Sequence, residues 1–188
     1  MIATNKLIAN NALKIFNAKP RIFRFADENE IKTVDLMICD DCPDDGVTSY
    51  GTIGLFNCNI GLTYNEKPLR SEILAACDSS VKDFANIVTS ATFEIMDRKN
   101  AYPGYIIDDI VSMYIGKSEM EHILLTYPFL WNNTHNLSLT DMTVAYLMAV
   151  PVSDEEKKFC QQNGLDALES VFEEKQIDIY NIYRPSCI

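Results

Sequence analysis

The segment "CDDCPDDG", from Cys39 to Gly46, combines a C-x-x-C pair with four aspartates in eight residues. Residues of these types hold metal ions, exchange disulfides or attract a positively charged partner. A structural zinc site uses four cysteine or histidine ligands, commonly from two C-x-x-C pairs, and this sequence has no second pair. A calcium loop supplies oxygen ligands at alternating positions, whereas these aspartates form two doublets. The sequence therefore predicts no metal ion at this segment.

The same cysteine pair matches a redox centre poorly. A reactive C-x-x-C pair lies where a helix N-terminus lowers the pKa of one thiol, but Cys39 ends a predicted strand and Cys42 opens a predicted turn. Asp, Pro and Gly each favour turns for separate backbone reasons. We interpret the segment as a solvated acidic turn, and we keep a thiol enzyme that uses Cys39 and Cys42 as a competing hypothesis.

Other catalytic arrangements are sparse. The two histidines, His122 and His135, have no spacing to a cysteine that indicates a nucleophilic pair. The sequence contains no Walker A loop, dinucleotide fingerprint, zinc-protease motif or nucleophile elbow. The acidic side chains fall on predicted turns and helix exteriors rather than in an acid–base pair. We therefore expect no catalytic residues, no cofactor and no enzymatic activity.

The charge of the chain restricts its partners. Asp and Glu number 27 against 16 Lys and Arg, which gives a formal net charge of −11. Nucleic acids and anionic membranes both attract basic proteins, so we expect neither a nucleic acid nor a membrane as partner. An acidic surface suits a basic protein partner, because opposite potentials speed encounter. Solubility is the alternative explanation of the same charge.

Length and hydropathy indicate one compact unit. The 188 residues contain no repeat, low-complexity segment or Gly/Ser/Pro-rich linker, so we predict a single domain over residues 1–188. No apolar run approaches the roughly 20 residues of a membrane span, and the start "MIATNKLIANNALKIF" lacks the pattern of a signal peptide. We expect a cytoplasmic protein whose six cysteines are reduced thiols.

The predicted strands arrive in runs. A helix precedes three strands that centre on "RIFRFA", "IKTVDLMIC" and "VTSYGTIGL". "RSEILAACDS" predicts a fourth strand, and "SVKDFANIVTSATFEIMDRKN" a long helix capped by Ser79 or Ser80. Further strands are predicted near 106–115, at "HILLTYP" and at "MTVAYLMAVPV", before helices that open on a capping box of Ser153 and Glu156. Runs of strands predict an α+β fold, with a mixed, mainly antiparallel sheet and helices packed on it.

Several segments share an order with a known family. They are "GVTSYGTIGL" with "KPLRSEILAAC", "DFANIVTSATFEI", "HILLTYPFLW", "TVAYLMAVPVSDEEKKFCQQNG" and "ALESVFEEKQIDIYNIYRPS". In this order the segments resemble the suppressor-of-fused domain family in its bacterial single-domain form, over residues 5–188. The C-x-x-C pair departs from the family pattern, which lowers the importance of the two cysteines.

The resemblance implies a suppressor-of-fused-like fold and a binding role rather than catalysis. Similar bacterial proteins are cytoplasmic immunity proteins, or antitoxins, that neutralise a toxin of a Leu-x-Gly-type module with a toxic C-terminal domain, often a nuclease. A nuclease domain is usually basic, so the acid clusters are the predicted partner-binding residues. They are Asp40, Asp41, Asp44, Asp45, Asp154, Glu155, Glu173 and Glu174. A generic peptide- or protein-binding module without a toxin partner is the alternative.

Overall fold

The computed structural model describes residues 2–188, with side chains from Thr4 onward. Over this range one sheet contains nine strands. The strands are β1 (Arg21–Ala26), β2 (Thr33–Cys39), β3 (Val47–Ile53), β4 (Thr63–Tyr64), β5 (Lys67–Asp78), β6 (Ile106–Ile107), β7 (Met120–Thr126), β8 (Leu137–Ser138) and β9 (Thr143–Ser153). The helices are α1 (Ile2–Phe16), α2 (Phe84–Arg98), α3 (Asp154–Asn163) and α4 (Leu165–Glu174), with a short 3-10 helix at Leu55–Asn57. None of these helices is long and apolar enough to cross a bilayer.

The sheet is mixed. Its strand order is β1-β2-β3-β5-β9-β7-β6, while β4 pairs with β5 and β8 pairs with β9. The central strands β5 and β9 run parallel, with Leu69 opposite Thr143 and Ala75 opposite Ala149. The other neighbouring pairs are antiparallel. The predicted α+β fold with a mixed, mainly antiparallel sheet is therefore confirmed.

Each face of the sheet has its own core, because successive side chains of a strand point to opposite faces. Leu36 and Ile73 contribute to one core, while their neighbours Met37 and Leu74 contribute to the other. Helix α2 covers the first face with Phe84, Ile87, Val88, Ala91 and Ile95. The second face is covered by Ile8, Ala12, Ile15 and Phe16 of α1, Cys160 of α3 and Leu168 of α4.

The two serines predicted to cap α2 do not cap it. The helix begins at Phe84, after Asp83, whose side chain makes no capping hydrogen bond. The hydroxyl of Ser79 lies 2.7 Å from that of Thr48, and the Ser79 N–H donates to the Gly46 carbonyl at 2.9 Å. Because these contacts use Ser79 to hold the end of the acidic turn, the helix starts later than its sequence pattern predicted.

Two predicted strands are also shorter than expected. Strand β2 begins at Thr33, while Ile31 is 80% exposed, because the Asp27 carboxylate accepts the Ile31 N–H at 2.8 Å and closes a turn. The strand expected near 106–115 is only two residues long in the structure, where it forms β6. Asp109 then adopts a φ of 58°, in the left-handed region that does not continue a strand.

The capping box at the start of α3 is confirmed. The Ser153 hydroxyl accepts the Glu156 N–H at 3.1 Å, and the Glu156 carboxylate accepts the Ser153 N–H at 3.1 Å. Gly164 ends the helix with a φ of 92°, which glycine adopts without the steric cost of a side chain. Glu156 is fully buried, so its carboxylate has a role beyond the cap.

Candidate functional site

The acidic turn joins β2 to β3, and two of its aspartates are held by nearby groups. The Nη2 atom of Arg21 lies 2.8 Å from both carboxylate oxygens of Asp40. The Asp41 carboxylate accepts the Gly46 N–H at 3.0 Å, across the turn. Both aspartates are exposed. They therefore shape a solvated turn and also present negative charge to the surroundings.

Of the other two aspartates of the turn, Asp44 contacts the C-terminal segment. The Tyr180 hydroxyl donates to the Asp44 carboxylate at 3.1 Å, and the Asp78 N–H donates to the Tyr180 carbonyl at 3.0 Å. Asp45 is exposed, and its carboxylate makes no hydrogen bond or ion pair with a described residue. The acidic turn is thus fastened to the segment that follows α4, although the two are far apart in sequence.

Both cysteines of the turn lie in the interior. Burial is the main reason that the pKa of the Cys39 thiol is raised to about 11, so this group is a neutral thiol at physiological pH. The Cys42 thiol donates to the Phe16 carbonyl at 3.2 Å. The Cys42 carbonyl accepts the Ser49 hydroxyl at 2.6 Å, and that hydroxyl accepts the Trp131 indole N–H at 3.1 Å. These contacts anchor the turn and argue against the thiol-enzyme hypothesis.

The acidic residues at the start of α3 form a separate group. Asp154 pairs with Lys158 at 2.5 Å, and this hydrogen bond is the main reason that the Asp154 pKa is lowered. Oδ1 of Asp154 also lies 3.6 Å from Nε2 of His122. Glu155 is exposed. Acidic side chains in the first turn complement the helix dipole, so these two residues have a sufficient structural role.

His122, in β7, is buried among acidic side chains. Its Nδ1 accepts the Asp109 N–H at 2.9 Å, which places the proton of the neutral imidazole on Nε2. Nε2 has no hydrogen-bond partner among the described residues. Asp109, Glu121 and His122 are close enough to hold a metal ion. One ring nitrogen accepts an N–H and the other carries a proton, however, so the ring presents no lone pair to a metal.

A cleft of about 580 Å³ lies between the segment after β7 and the carboxyl end of α4. We call it the α4 cleft. Tyr127 and Phe129 line it from the β7 side and are 63% and 57% exposed. Phe172, Ile177 and Ile179 line it from α4 and the segment that follows. Apolar side chains exposed together, rather than scattered singly, mark surfaces that bind partners.

Two glutamates of α4 line the same cleft. Glu169 and Glu173 lie one helical turn apart and share a face of the helix. The Glu169 carboxylate accepts a hydrogen bond from the Thr126 hydroxyl. The Glu173 carboxylate is exposed and makes no hydrogen bond or ion pair with a described residue. Glu173 is thus the predicted partner-binding residue that the fold places in the α4 cleft.

A buried ion pair supports the α4 wall of the cleft. The guanidinium carbon of Arg184 lies 5.5 Å from the centre of the Phe172 ring. Arg184 also binds Glu156 through two hydrogen bonds, of 2.5 Å and 2.7 Å. Burial alone would raise the pKa of Glu156, but the hydrogen bonds and charge of Arg184 outweigh it and keep the pKa below its usual value. The pair of Arg184 and Glu156 therefore supports Phe172, which lines the cleft.

The α4 cleft and the acidic turn are connected through the C-terminal segment. Ile179 lines the cleft, and the next residue, Tyr180, donates to Asp44 of the turn. The structure thus brings two of the three predicted acid groups, the turn and Glu173–Glu174, to neighbouring parts of the molecule. The third group, at Asp154, instead contacts His122 and Lys158.

The apolar part of this site was not predicted from the sequence. Tyr127 and Phe129 fall at the end of the predicted strand "HILLTYP" and just beyond it, where strand patterning alone indicates burial. A usable signal was Pro128, which separates the two aromatic residues and disfavours continuation of the strand.

Residues 31–185 match the model of the family described as Suppressor of fused protein (SUFU). The chain is also 36% identical over 186 residues to "Immunity protein YqcF" of Bacillus subtilis (strain 168). This alignment covers 98% of the chain and 97% of the Bacillus protein. The similarity therefore extends over nearly the whole of both chains.

Solved structures show the same fold. The crystal structure of a SUFU homologue from Neisseria gonorrhoeae has a TM-score of 0.73 at 15% identity, covering 100% of this chain and 98% of that one. The crystal structure of the Sufu–Fu complex has a TM-score of 0.68 at 12% identity, covering 98% of this chain and 92% of the matched one. The crystal structure of Drosophila Suppressor of Fused has a TM-score of 0.65 at 10% identity, covering 96% of this chain and 50% of that one. The family match and the Bacillus relative together show that the chain belongs to the suppressor of fused protein family.

Proposed function

We propose that the protein is a cytoplasmic immunity protein that binds and neutralises a cognate toxin. The observation that carries this proposal is the 36% identity to a protein named as an immunity protein, over 98% of the chain. Because the match also covers 97% of that relative, the shared region includes nearly all of the surface with which the relative could act.

The proposed action is binding by a single domain over residues 1–188, without catalysis. Two features support it. The thiol of Cys39 is buried, with a pKa of about 11, and a thiol rather than a thiolate is a weak nucleophile. His122 is buried with its Nδ1 already accepting a hydrogen bond, so it is a poor general base. Neutralisation needs only that a surface of the toxin be covered.

We further propose that the toxin domain is basic, as a nuclease that holds nucleic acid would be. The net charge of −11 supports this proposal, because complementary potentials accelerate association. Asp45, Glu173 and Glu174 are exposed and form no ion pair with a described residue, so they can meet a cation without breaking an existing contact. Asp40 and Asp154 already have basic partners.

Co-expression tests the proposal directly. The toxic C-terminal domain encoded by the gene beside this one is expressed in a bacterial host, with and without the protein. We expect growth only when the protein is present, and a stable complex on size-exclusion chromatography. An immunity protein from an unrelated toxin module serves as the control for non-specific protection.

The outcomes separate the two function classes. Growth rescue together with a complex supports an immunity protein. Absence of both rescue and complex would show that the neighbouring toxin domain is not the partner and would contradict the proposal. Binding of other proteins by a chain that does not protect would favour the generic binding module instead.

A further inference from the structure

Apolar and acidic side chains meet at the α4 cleft. Tyr127 and Phe129 keep more than half of their surface in water, although each could contribute favourable free energy by being covered. Phe172 lies opposite them and rests on the buried Arg184. A cleft with aromatic walls and a fixed base suits one inserted apolar side chain.

The acidic residues beside this cleft are placed where they destabilise the isolated protein. Glu169 and Glu173 are like charges at an i,i+4 spacing, which weakens a helix. Glu173 and Glu174 also lie at the carboxyl end of α4, where the helix dipole already contributes negative charge. The last turn of α4 contains no basic residue to offset them. A cation from outside would relieve both repulsions.

The lysine nearest to Glu173 and Glu174 in the sequence already binds another group. Lys175 follows α4 directly, and its ammonium group donates to the Cys187 carbonyl at 2.6 Å. The other basic group close to the cleft, Arg184, binds Glu156. Neither basic group pairs with the Glu173 carboxylate, which therefore remains available to a partner.

Building on the proposed function, we infer that the α4 cleft is the docking site for the toxin domain. An apolar side chain of the toxin inserts between Phe129 and Phe172. Lysine or arginine residues that flank it pair with Glu169 and Glu173. The occupant is thus a basic protein segment with an apolar side chain between its positive charges.

Charge repulsion makes a second copy of this chain a less favourable occupant of the α4 cleft than a basic partner. A symmetric dimer through the cleft would place the same patch of each copy face to face. Glu169 and Glu173 would then meet their equivalents, and each copy carries a net charge of −11. Repulsion of this kind disfavours self-association, whereas a basic partner is attracted.

Binding of a catalytically inactivated toxin domain to purified variants tests the inference. Phe129→Ala is expected to weaken binding at least about 10-fold, because truncating a central aromatic contact is costly. Glu173→Gln, alone and with Glu169→Gln, is expected to slow association about 3- to 10-fold at low salt and to flatten its salt dependence. Each variant is first checked for an unchanged melting temperature.

Matched controls come from other exposed surfaces. Met113→Ala truncates an apolar side chain that is 66% exposed, and Glu28→Gln removes an exposed charge. Both should bind the toxin domain like the wild type. If the wild type binds and the cleft variants bind equally well, the docking inference is wrong and the proposed function stands. If the wild type does not bind, both are wrong. If the wild type dimerises and Phe129→Ala abolishes the dimer, the occupant is a second copy and the inference is overturned.

Discussion

Two arginine–carboxylate pairs in this protein have the same chemistry and opposite surroundings. Arg21 and Asp40, on the acidic turn, are 56% and 55% exposed, whereas Arg184 and Glu156 are 5% and 0% exposed. Water and salt compete with the exposed pair, so it contributes little to stability. The buried pair cannot lose one member without leaving a charge in the interior. The stability of the fold therefore depends little on Asp40 at the turn and strongly on Glu156 beneath the α4 cleft, although the sequence does not distinguish the two acids.

Breaking the buried pair should have the largest effect. Arg184→Met leaves the Glu156 carboxylate buried without its cation, and we expect a loss of about 3–5 kcal/mol in the free energy of unfolding. Urea denaturation at neutral pH measures this loss. Arg21→Met is the matched control, with an expected change below about 1 kcal/mol. Equal losses in the two variants would show that burial does not distinguish the pairs.

Glu72 provides a third case, because it is a buried acid that has no arginine as its partner. Its carboxylate accepts the N–H groups of Gly54 and Phe56 at 2.8 Å and 3.2 Å, and the Thr52 hydroxyl at 2.5 Å. Burial dominates over these hydrogen bonds and raises the pKa of Glu72 to about 7. The neutral carboxyl therefore stabilises the fold below the unfolded pKa, near 4.5, and this contribution is lost as the pH rises through 7.

Substitution of Glu72 should consequently change the pH dependence of stability. Glu72→Gln does not ionise, so between pH 5 and 8 its free energy of unfolding should rise relative to that of the wild type, by at most about 3 kcal/mol. Urea unfolding at each pH gives the difference. The contribution of Glu156 to stability depends on pH in the opposite direction. Because its pKa is lowered, that contribution is lost only as the pH falls into the acid range. A flat difference for Glu72→Gln would place the Glu72 pKa at its ordinary value.

Loosening the anchor of the acidic turn should have a smaller effect. Ser49→Ala leaves the Trp131 N–H and the Cys42 carbonyl without their shared partner, and an unsatisfied buried group costs about 1–3 kcal/mol. Thermal unfolding followed by Trp131 fluorescence reports both stability and the local environment. Ser170→Ala, at an exposed hydroxyl on α4, should change the melting temperature little.

The smallest effect on stability is expected from the charges of the turn. Replacing Asp40, Asp41, Asp44 and Asp45 by Asn should change the free energy of unfolding by less than about 1 kcal/mol, since these groups are exposed. Association with the toxin domain should become slower and less sensitive to salt. Stopped-flow kinetics measures both quantities. Unchanged rates would remove the turn from the binding surface.

The sequence predicted most features that depend on local patterning. The strand at "RIFRFA" is predicted by its alternation, and the strand at "HILLTYP" by a short apolar run that is typical of a buried strand. The capping box of Ser153 and Glu156 was recovered because its spacing is fixed by helix geometry. Each of these signals is carried by residues close together in the chain.

The features that failed include several that depend on contacts between distant residues. The sequence pattern predicts Ser79 as a possible helix cap, but Thr48 and Gly46 occupy its polar groups. The α4 cleft requires the segment after β7 to meet α4, and the partner of Glu156 lies in the C-terminal segment, at Arg184. No local pattern encodes such pairings, because they are set by the order of strands in the sheet.

The parallel pairing of β5 with β9 affects how the protein can mature on the ribosome. Strands β1, β2, β3 and β5 can pair as they emerge, since they are neighbours in the sheet. The open edge of β5 is covered only after β9 has been synthesised, and pairings between distant segments form slowly. The sheet can therefore be completed only after most of the chain, as far as β9, has been synthesised.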